Sequence, residues 1–387
     1  CSLKPDVNRL TLTCEMLIDS TGWVQSYRIY ESVIRSRARL VYDDVAEFLD
    51  TGQTRTIRNK EILDNLIVMN EVAKVLQEKR TKRGAINFNF AEQQIELDDQ
   101  NLMVGVSKKL QSSSMKLIEQ FMLEANETVA KHCTGNRLPA LYRVHGSPDL
   151  SKLERLKKVF QRFDIPVSPN SLSNSGQFNK VLKSIENLTN KNQLQIILLR
   201  SMALATYETD NQGHFGLGAK YYSHFTSPIR RYPDLVTHRA LKHELHAKLG
   251  IRPSPNSNPS MLMAEYLSEQ GRRAEKAESE SINLMKVNFM EKFIGQTMEG
   301  QIVSTENNGF QFELHPHEID WFIPVEALKD DNYIFDEINL VLQGRRTKRI
   351  LEAGDKVELR LTRADTLHRL MEFDILGYSP KPPSSQD

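Results

Sequence analysis

One stretch of the sequence brings together side chains that bind anions. Residues 222–234 read Tyr-Ser-His-Phe-Thr-Ser-Pro-Ile-Arg-Arg-Tyr-Pro-Asp. Thr226 and Ser227 supply hydroxyl groups, and Arg230 and Arg231 supply adjacent guanidinium groups. A guanidinium can hold two phosphate oxygens at once and stays protonated at any physiological pH. The residue types therefore predict a segment that grips phosphate.

The residues around the two arginines allow two interpretations. Pro233 favours the first turn of a helix, where its missing N–H is not needed, and a helix N-terminus attracts anions. In the first interpretation this N-terminus adds to the phosphate grip, and Tyr222 and Tyr232 pack against bases. In the second, the segment is a loop leading into a helix, with Asp234 stabilised by the helix dipole and paired with one arginine. Residue types alone leave both open.

A longer pattern narrows the choice. The run Y-x-H-F-T-S-P-I-R-R-Y-P-D-L-x-x-H-R, residues 222–239, resembles the signature of the ribonuclease II and ribonuclease R family of exoribonucleases and is closer to the ribonuclease R branch. Residues 83–88, 117–126 and 336–349 extend the resemblance. It implies processive 3′-to-5′ hydrolysis of single-stranded RNA to nucleoside 5′-monophosphates.

The resemblance also implies a fold. We expect an α+β protein whose residues 1–294 form a large mixed α/β domain of the RNB catalytic type, incomplete at its N-terminus. Residues 295–378 are expected to form a small β-barrel of the S1-type OB fold, whose usual ligand is an oligonucleotide. The Pro/Ser-rich residues 379–387 are expected to form a disordered tail.

Carried over residue by residue, the resemblance implies that Arg230 contacts the phosphate beside the scissile bond and stabilises its developing charge. We therefore predict Arg230 as the catalytic residue of this chain. The other residues expected to bind RNA are Tyr42, Phe88, Glu119, Thr226, Ser227, Arg231, Tyr232, Glu278, Arg345, Arg346, Lys348 and Arg349.

Four of these residues have specific implied roles, each with a structural alternative. Tyr42 matches a tyrosine that stacks on the terminal base and Phe88 an aromatic farther along the channel, yet both types are also common in cores. Glu119 and Glu278 match carboxylates that line the RNA path and touch sugar hydroxyls, yet both can be exposed helix charges. Gln120 departs from the family, which commonly has a second acid there, and an amide does not supply that charge.

The barrel region supplies a second set of candidates from composition alone. Arg345, Arg346, Lys348 and Arg349 form the most basic loop of the chain. The aromatic residues considered beside it are Phe310, Phe312 and Trp321. Some of these aromatic and basic residues are expected to be structural.

The resemblance implies two-metal hydrolysis with Mg²⁺ held by clustered aspartates. The sequence contains no Asp-x₅-Asp-x-Asp-Asp run, and the acidic pairs at 43–44, 98–99 and 330–331 lack that spacing. We therefore expect no metal ligands in this chain, and expect the aspartates upstream of it or on a separate chain, so that the chain alone is inactive. A non-catalytic RNA-binding protein and a protein-interaction scaffold are the alternatives.

Histidine spacing gives no second metal site. His238, His243 and His246 are separated by five and three residues, which does not put all three on one helix face.

Periodicity indicates the elements that position these residues. Residues 10–33 alternate in polarity about a Gly-containing turn, which predicts a β-hairpin. Apolar residues at three- and four-residue steps predict helices at 60–78, 115–129 and 153–160, and further helices at 261–293 and from Pro233. After Gly295 five short strands are predicted, at 298–303, 310–314, 319–323, 356–362 and 367–375.

Composition excludes some classes and is neutral on others. The chain of 387 residues has 51 Lys and Arg against 50 Asp and Glu, a net charge of +1 that by itself does not indicate nucleic acid. No apolar run is long enough to cross a bilayer. Cys1, Cys14 and Cys133 lie far apart, which predicts neither disulfides nor a thiolate zinc site. A cytoplasmic location without a membrane partner is expected.

Overall fold

The computed structural model describes residues 3–88, 90–168, 172–188, 191–251 and 258–380. Its strands are β1 Asn8–Ile18, β2 Val24–Arg35, β3 Glu92–Leu97, β4 Met103–Lys109, β5 Tyr142–Val144, β6 Thr206–Glu208, β7 Thr297–Glu306, β8 Gly309–His315, β9 Ile319–Pro324, β10 Tyr333–Asp336, β11 Val341–Gly344, β12 Ile350–Leu351, β13 Lys356–Asp365 and β14 Leu370–Ser379. Its helices are α1 Tyr42–Thr51, α2 Lys60–Arg83, α3 Ser113–Gly135, α4 Leu150–Arg162, α5 Ser175–Ser184, α6 Lys191–Ser201, α7 Tyr232–Lys248 and α8 Met261–Met290.

The predicted N-terminal hairpin is confirmed. Strands β1 and β2 pair antiparallel, with Leu10 opposite Val33. The turn is closed by Asp19, whose Oδ1 accepts the backbone N–H groups of Thr21 at 2.8 Å and Trp23 at 3.0 Å. One face of the hairpin packs against a small core between α3 and α7. The hairpin therefore covers one side of α3 and α7.

The predicted helices are confirmed; α2, α3 and α4 extend beyond their apolar stripes, whereas α8 ends at Met290, before the predicted residue 293. Side chains of Asn59 and Ser112 cap the N-termini of α2 and α3 by accepting backbone N–H groups. The two helices are joined by a buried ion pair in which Lys79 Nζ lies 2.5 Å from Glu124 Oε2. Burial raises the pKa of Glu124 despite this contact.

A second core forms between α4, α5 and α6. It contains Phe160, Phe178 and Leu194, all fully buried. The polar region around residues 168–192 therefore holds a packed helix, α5, rather than a break between domains. Gln193 of α6 joins this core to the C-terminal sheet, since its Nε2 donates to Thr305 Oγ1 at 3.0 Å.

The C-terminal region contains all five predicted strands. They form one sheet in the order β14-β13-β7-β8-β9, and the mixed helix and sheet architecture agrees with the predicted α+β class. A three-stranded sheet, β10-β11-β12, was not predicted. Of the expected disordered tail, Ser379 is the last residue of β14, and residues 381–387 lie outside the described part of the chain.

The aromatic candidates of this region belong to its core. Phe310 and Phe312 have no exposed surface, so both are structural, as was expected of some of these candidates. They occupy alternate positions of β8 and therefore point to the same face, which is the inner one. Trp321 is half-buried, and its Nε1 donates to the carbonyl of Met371 at 3.2 Å.

The sheet region is anchored to the rest of the chain by α8. Val287, Phe289 and Met290 at the end of α8 pack into the C-terminal core. Lys286 donates to Gln93 Oε1 of the β3–β4 hairpin at 2.9 Å and pairs with Asp320. Among the described helices, none combines the length and the apolar character that a membrane span requires.

Candidate nucleic-acid interface

The two adjacent arginines have different environments. Asp234, in the first turn of α7, is fully buried, and its Oδ1 accepts the backbone N–H of Ser227 at 2.7 Å and Nη2 of Arg231 at 2.8 Å. The carbonyl of Ser227 accepts the N–H groups of Arg230 at 3.3 Å and Arg231 at 3.1 Å. Arg231 is therefore turned inward, and the ion pair foreseen in the second interpretation is formed by this arginine.

Arg230 lies at the exposed tip of the same turn. Its neighbour Ile229 is 76% exposed, and the Arg230 side chain itself is exposed. Within the described ranges, its guanidinium has no hydrogen bond or ion pair, and the hydroxyls of Thr226 and Ser227 have no hydrogen bond. This half of the segment therefore presents one cation and two hydroxyls that are free to bind a ligand.

Asn126 of α3 holds the segment in place from below. Its Nδ2 donates to the hydroxyl of Tyr222 at 3.2 Å, and its Oδ1 accepts the backbone N–H of Phe225 at 2.9 Å. His238 of α7 donates from Nε2 to the carbonyl of Phe225 at 2.8 Å. Tyr222 is only 6% exposed, so the prediction that it packs against a base is wrong.

The Tyr232 ring is accessible, as packing against a base would require. It is 45% exposed, and its hydroxyl accepts Nη1 of Arg239 at 3.0 Å. The Arg239 guanidinium also lies 5.6 Å from the centre of the Tyr232 ring. The ring is thus oriented by a cation and remains open to solvent.

A row of aromatic rings includes the first residues of the segment and the strands packed against it. His145 stacks on His214 at 4.9 Å between ring centres, and His214 meets Tyr222 edge-on at 5.2 Å. Tyr222 in turn lies 5.6 Å from His224, which lies 5.6 Å from Tyr207. Tyr207 and His224 share a hydrogen bond of 2.8 Å between the hydroxyl and Nδ1.

The two histidines at the middle of this row are neutral. Burial lowers the pKa of His214 to about 3. Burial also lowers the pKa of His224 to about 2, with further contributions from the charges of Arg231 and Arg143. A neutral row of rings leaves the positive charge of the segment to its arginines.

The turn after α2 contacts the segment's surroundings through Arg83 and Gly84. Arg83 forms a two-pronged ion pair with Glu127, at 2.6 and 2.7 Å, and donates to the carbonyl of Leu217 at 3.1 Å. Gly84 has a φ of +96°, and a Cβ there would lie 2.7 Å from the Cα of Gly176. Glycine is required at this turn because a side chain would meet backbone.

Glu119 and Gln120 share one partner on α2. Arg80 Nη1 donates to Gln120 Oε1 at 2.8 Å and lies 3.5 Å from Glu119 Oε1. The other oxygen of Glu119 accepts Nε2 of Gln111 at 3.0 Å, and its side chain stays 35% exposed. Gln120 is buried, so its amide serves Arg80 as a neutral acceptor and offers no second charge.

The remaining residues predicted in the large domain are spread over several elements. Tyr42 begins α1 and is 48% exposed, and its carbonyl accepts the hydroxyl of Ser114 at 2.8 Å. Phe88 is half-buried, lying 6.4 Å from Phe178 in the second core. Phe88 therefore contacts the second core, as expected if it has a structural role. Glu278 is exposed on α8 and has no partner in the described part of the chain.

The basic loop before β12 is built on two aspartates. The carboxylate of Asp331 accepts the backbone N–H of Arg346. Its hydrogen bonds lower the pKa of this carboxyl, and the largest contribution comes from the backbone N–H of Thr347. Arg346 Nη2 donates to the carbonyl of Asp330 at 2.9 Å, and Arg349 Nη1 pairs with Asp330 Oδ2 at 2.5 Å. The side chains of Arg346 and Arg349 therefore hold the loop together.

Arg345 and Lys348 of the same loop point elsewhere. Neither side chain has a partner among the residues described, and both line an open cleft of about 980 Å³ between α4 and the small sheet. Arg155 on the opposite wall pairs with Glu337 at 3.4 Å. The loop thus divides into two anchoring cations and two accessible ones.

The carboxylates of the described residues do not fit a two-metal centre. Within these ranges, no group of three or more His, Cys, Asp and Glu side chains is arranged to hold a metal ion. Asp43 lies in the first turn of α1, Asp98 in the β3–β4 turn and Asp330 in the loop before β10. His238 is bonded to backbone and His246 to Glu31.

Three important residues were not predicted in their observed roles. Asn126 is the last residue of the stretch 117–126 that carried part of the resemblance, and its anchoring role was not foreseen. Asp234 was foreseen as the partner of one arginine, but its hydrogen bond with the backbone N–H of Ser227 was not foreseen. Arg143 is the one charged residue in the apolar run 141–144, and an isolated charge in such a short buried strand is a signal that could have been used.

Comparisons with known proteins agree with this geometry. The model for the RNB domain matches residues 1–247. The chain is 34% identical to Ribonuclease R of Aquifex aeolicus over 97% of its own length and 53% of that protein. It is 31% identical to Ribonuclease R of Escherichia coli, over 99% and 48% respectively. The chain thus spans about half the length of these curated relatives.

Solved structures show the same fold. Mycoplasma genitalium RNase R in complex with ribose-methylated single-stranded RNA matches with a TM-score of 0.86 and 26% identity, over 97% of this chain and 59% of that one. Yeast Ssd1, a pseudonuclease, matches with a TM-score of 0.64 and 23% identity, over 88% and 42%, which shows the fold alone. From the family model, the relatives and the fold together, the chain belongs to the RNB domain family.

Proposed function

We propose that this chain is the RNA-holding part of a 3′-to-5′ exoribonuclease that hydrolyses single-stranded RNA processively and releases nucleoside 5′-monophosphates. The observation that carries this proposal is Arg230, an exposed guanidinium without a partner in the described chain, at the tip of a turn fixed by Asp234. Because the turn that presents this cation is already formed, little backbone reorganisation is needed as charge develops on a phosphoryl group. Relatives of the ribonuclease R type support the reaction class.

In this proposal the segment acts by binding and orientation. Arg230 contacts the phosphate next to the scissile bond, and the hydroxyls of Thr226 and Ser227 donate to phosphate oxygens. Arg231 acts indirectly, because its charge is shared with Asp234. Tyr42 and Tyr232 are exposed rings suited to stacking on bases, and Glu119 and Glu278 line the RNA path. Phe88 remains a proposed contact farther along it.

The domain assignment is part of the proposal. Residues 1–294 form the RNB part and residues 295–378 an S1-type module, whose accessible cations Arg345 and Lys348 contact RNA while Arg346 and Arg349 shape the loop. The proposed location is the cytoplasm.

The proposed cofactor is Mg²⁺, which in such nucleases activates water and stabilises the leaving oxygen. The described residues offer no fitting cluster, so we propose that the acidic ligands come from outside this sequence, on the same polypeptide or on a separate chain. The residues in hand are assigned the binding and orientation of RNA only. The chain by itself is then expected to bind RNA without cleaving it.

A second candidate is a non-catalytic RNA-binding protein with the same fold. It is favoured by the lack of a carboxylate cluster in the described residues. In that case the phosphate grip at Arg230 is kept and hydrolysis is lost.

The test uses uniformly labelled single-stranded RNA with Mg²⁺, incubated with this chain and with a longer polypeptide that includes the upstream region. DNA of the same sequence serves as the substrate control. We expect both proteins to bind RNA, and only the longer one to release monophosphates. Intact RNA with both proteins would establish the second candidate, and failure of either protein to bind RNA would refute both.

A further inference from the structure

Arg143 is a cation that the function proposed above does not use. It lies in β5, where it pairs with Tyr207 of β6. Its guanidinium carbon lies 4.7 Å from the centre of the Tyr207 ring, and its backbone N–H donates to the carbonyl of Tyr222 at 3.0 Å. The side chain is half-buried. Backbone pairing and ring stacking together fix its position.

The arginines around the site differ in how their charge is balanced. Arg83 pairs with Glu127, and Arg231 with Asp234. Arg143 forms no ion pair with any described residue, and its guanidinium lies over the Tyr207 ring. Among the described residues, Arg143 and Arg230 therefore have no counter-charge, and neither does Arg239, whose Nη1 donates to the Tyr232 hydroxyl. A half-buried charge without a counter-charge is unfavourable unless a ligand supplies one.

Arg143 and Arg230 act on the same region of the molecule. The Tyr207 ring beneath Arg143 is hydrogen-bonded through its hydroxyl to His224 at 2.8 Å. His224 precedes Thr226 and Ser227 in the phosphate-binding segment by two and three residues. Burial lowers the pKa of this histidine most, and the charges of Arg231, Arg143 and Arg230 all add to the lowering. No carboxylate of the described chain is bonded to this ring to offset them.

We infer that Arg143 forms a second phosphate-binding position, so that one RNA strand is held through two phosphodiester groups, one at Arg230 and the other at Arg143. Stacking on Tyr207 uses the face of the guanidinium and leaves its edge N–H groups free to donate to phosphate oxygens. Two fixed positions on one strand also set its direction through the site. This inference rests on the proposed RNA-binding function.

The test measures binding of 5′-fluorescein-labelled single-stranded RNA to this chain by anisotropy over a range of KCl concentrations. Arg143→Met keeps the apolar stem and removes the charge. Because each phosphate contact contributes about 0.7 to the slope of log affinity against log salt for single strands, the slope should become shallower by about 0.7. Arg143→Lys, which keeps the charge, should restore most of the slope.

The matched control is Arg28→Met, since the charge of Arg28 is already paired with Glu15 at 2.8 Å. It should leave the slope unchanged. Wild-type affinity and slope in Arg143→Met would overturn the inference. Absence of RNA binding by the wild-type chain would instead count against the proposed function, so the two failures are distinguishable.

A second measurement avoids the question of whether the variants fold. The wild-type chain is treated with phenylglyoxal, which modifies accessible guanidinium groups, with and without the RNA, and the modified arginines are identified by mass spectrometry. We expect RNA to reduce the modification of Arg143 and Arg230 and to leave the modification of Arg28 unchanged. Equal modification of Arg143 in both samples would contradict a phosphate contact there.

Discussion

Asp234 is expected to determine where Arg230 points, and Asp234→Asn isolates this role. The carboxylate has no exposed surface, and one of its oxygens accepts both the Ser227 N–H and the Arg231 guanidinium. Asparagine keeps an oxygen for the Ser227 N–H but removes the charge opposite Arg231. A hydrogen bond to a charged group contributes about 1.5–3 kcal/mol. With Arg231 23% exposed, we expect a loss of about 2 kcal/mol in the free energy of unfolding.

Asp234→Ala should be more severe, because it leaves both the Ser227 N–H and the guanidinium without a partner. Removing one member of a buried ion pair costs about 3–5 kcal/mol. Both values are measured by urea unfolding of this chain. RNA binding, measured in parallel by anisotropy, should weaken in Asp234→Asn. The turn that presents Arg230 keeps the bond between residue 234 and the Ser227 N–H but loses the ion pair with Arg231.

The matched control is Asp210→Asn, which changes an exposed carboxylate without an ion pair in the described chain. It should leave both measurements unchanged. An Asp234→Asn variant with wild-type stability and wild-type RNA binding would refute the reasoning. Lost stability with unchanged RNA binding would show that Asp234 supports the fold without positioning Arg230.

Two other predictions concern the basic loop and acid stability. The double variant Arg345→Ala/Lys348→Ala should reduce the salt slope of RNA binding by about 1.4, twice the value for one contact, with no loss of melting temperature; an unchanged slope would remove the loop from the RNA path. Because the folded pKa values of His214 and His224, about 3 and about 2, lie below the unfolded value of about 6.5, only the unfolded state gains protons as pH falls below that value. Stability should therefore fall by up to about 1.4 kcal/mol per pH unit for each histidine. Urea unfolding between pH 6 and pH 4 should show a shallower fall in stability for His224→Gln than for the wild-type chain, and equal slopes in the two proteins would contradict the assignment.

Much of the fold could be predicted because its elements are long and periodic. The hairpin of β1 and β2 and the helices α2 and α3 each carry a clear apolar pattern. The sheet of β10, β11 and β12 was missed because its strands have only four, four and two residues, too few to show alternation. The alternation of Phe310, Phe312 and Leu314 places these three side chains on one face of β8. The sequence alone does not say whether that face is covered by the core or open to a ligand.

The site was predicted in composition and less well in geometry. Sequence places Arg230 and Arg231 side by side, but only the folded turn shows that Asp234 binds one of them and leaves the other exposed. Tyr222 was misjudged for a similar reason, because Asn126, its partner, lies 96 residues earlier in the chain. Arg143 comes from a different strand, so its relation to the segment depends on tertiary packing that local patterns do not encode.

The central claim is that Arg230 grips the phosphate at the reacting bond. The most direct test compares wild type and Arg230→Ala in the longer polypeptide with the upstream region, by single-turnover cleavage of labelled RNA and by binding in the absence of metal. Loss of one group that stabilises developing charge typically lowers a rate by about 10²–10³. We predict a fall of about this size in the cleavage rate and a loss of affinity below about tenfold. Equal losses in rate and affinity, or an unchanged rate, would contradict the account.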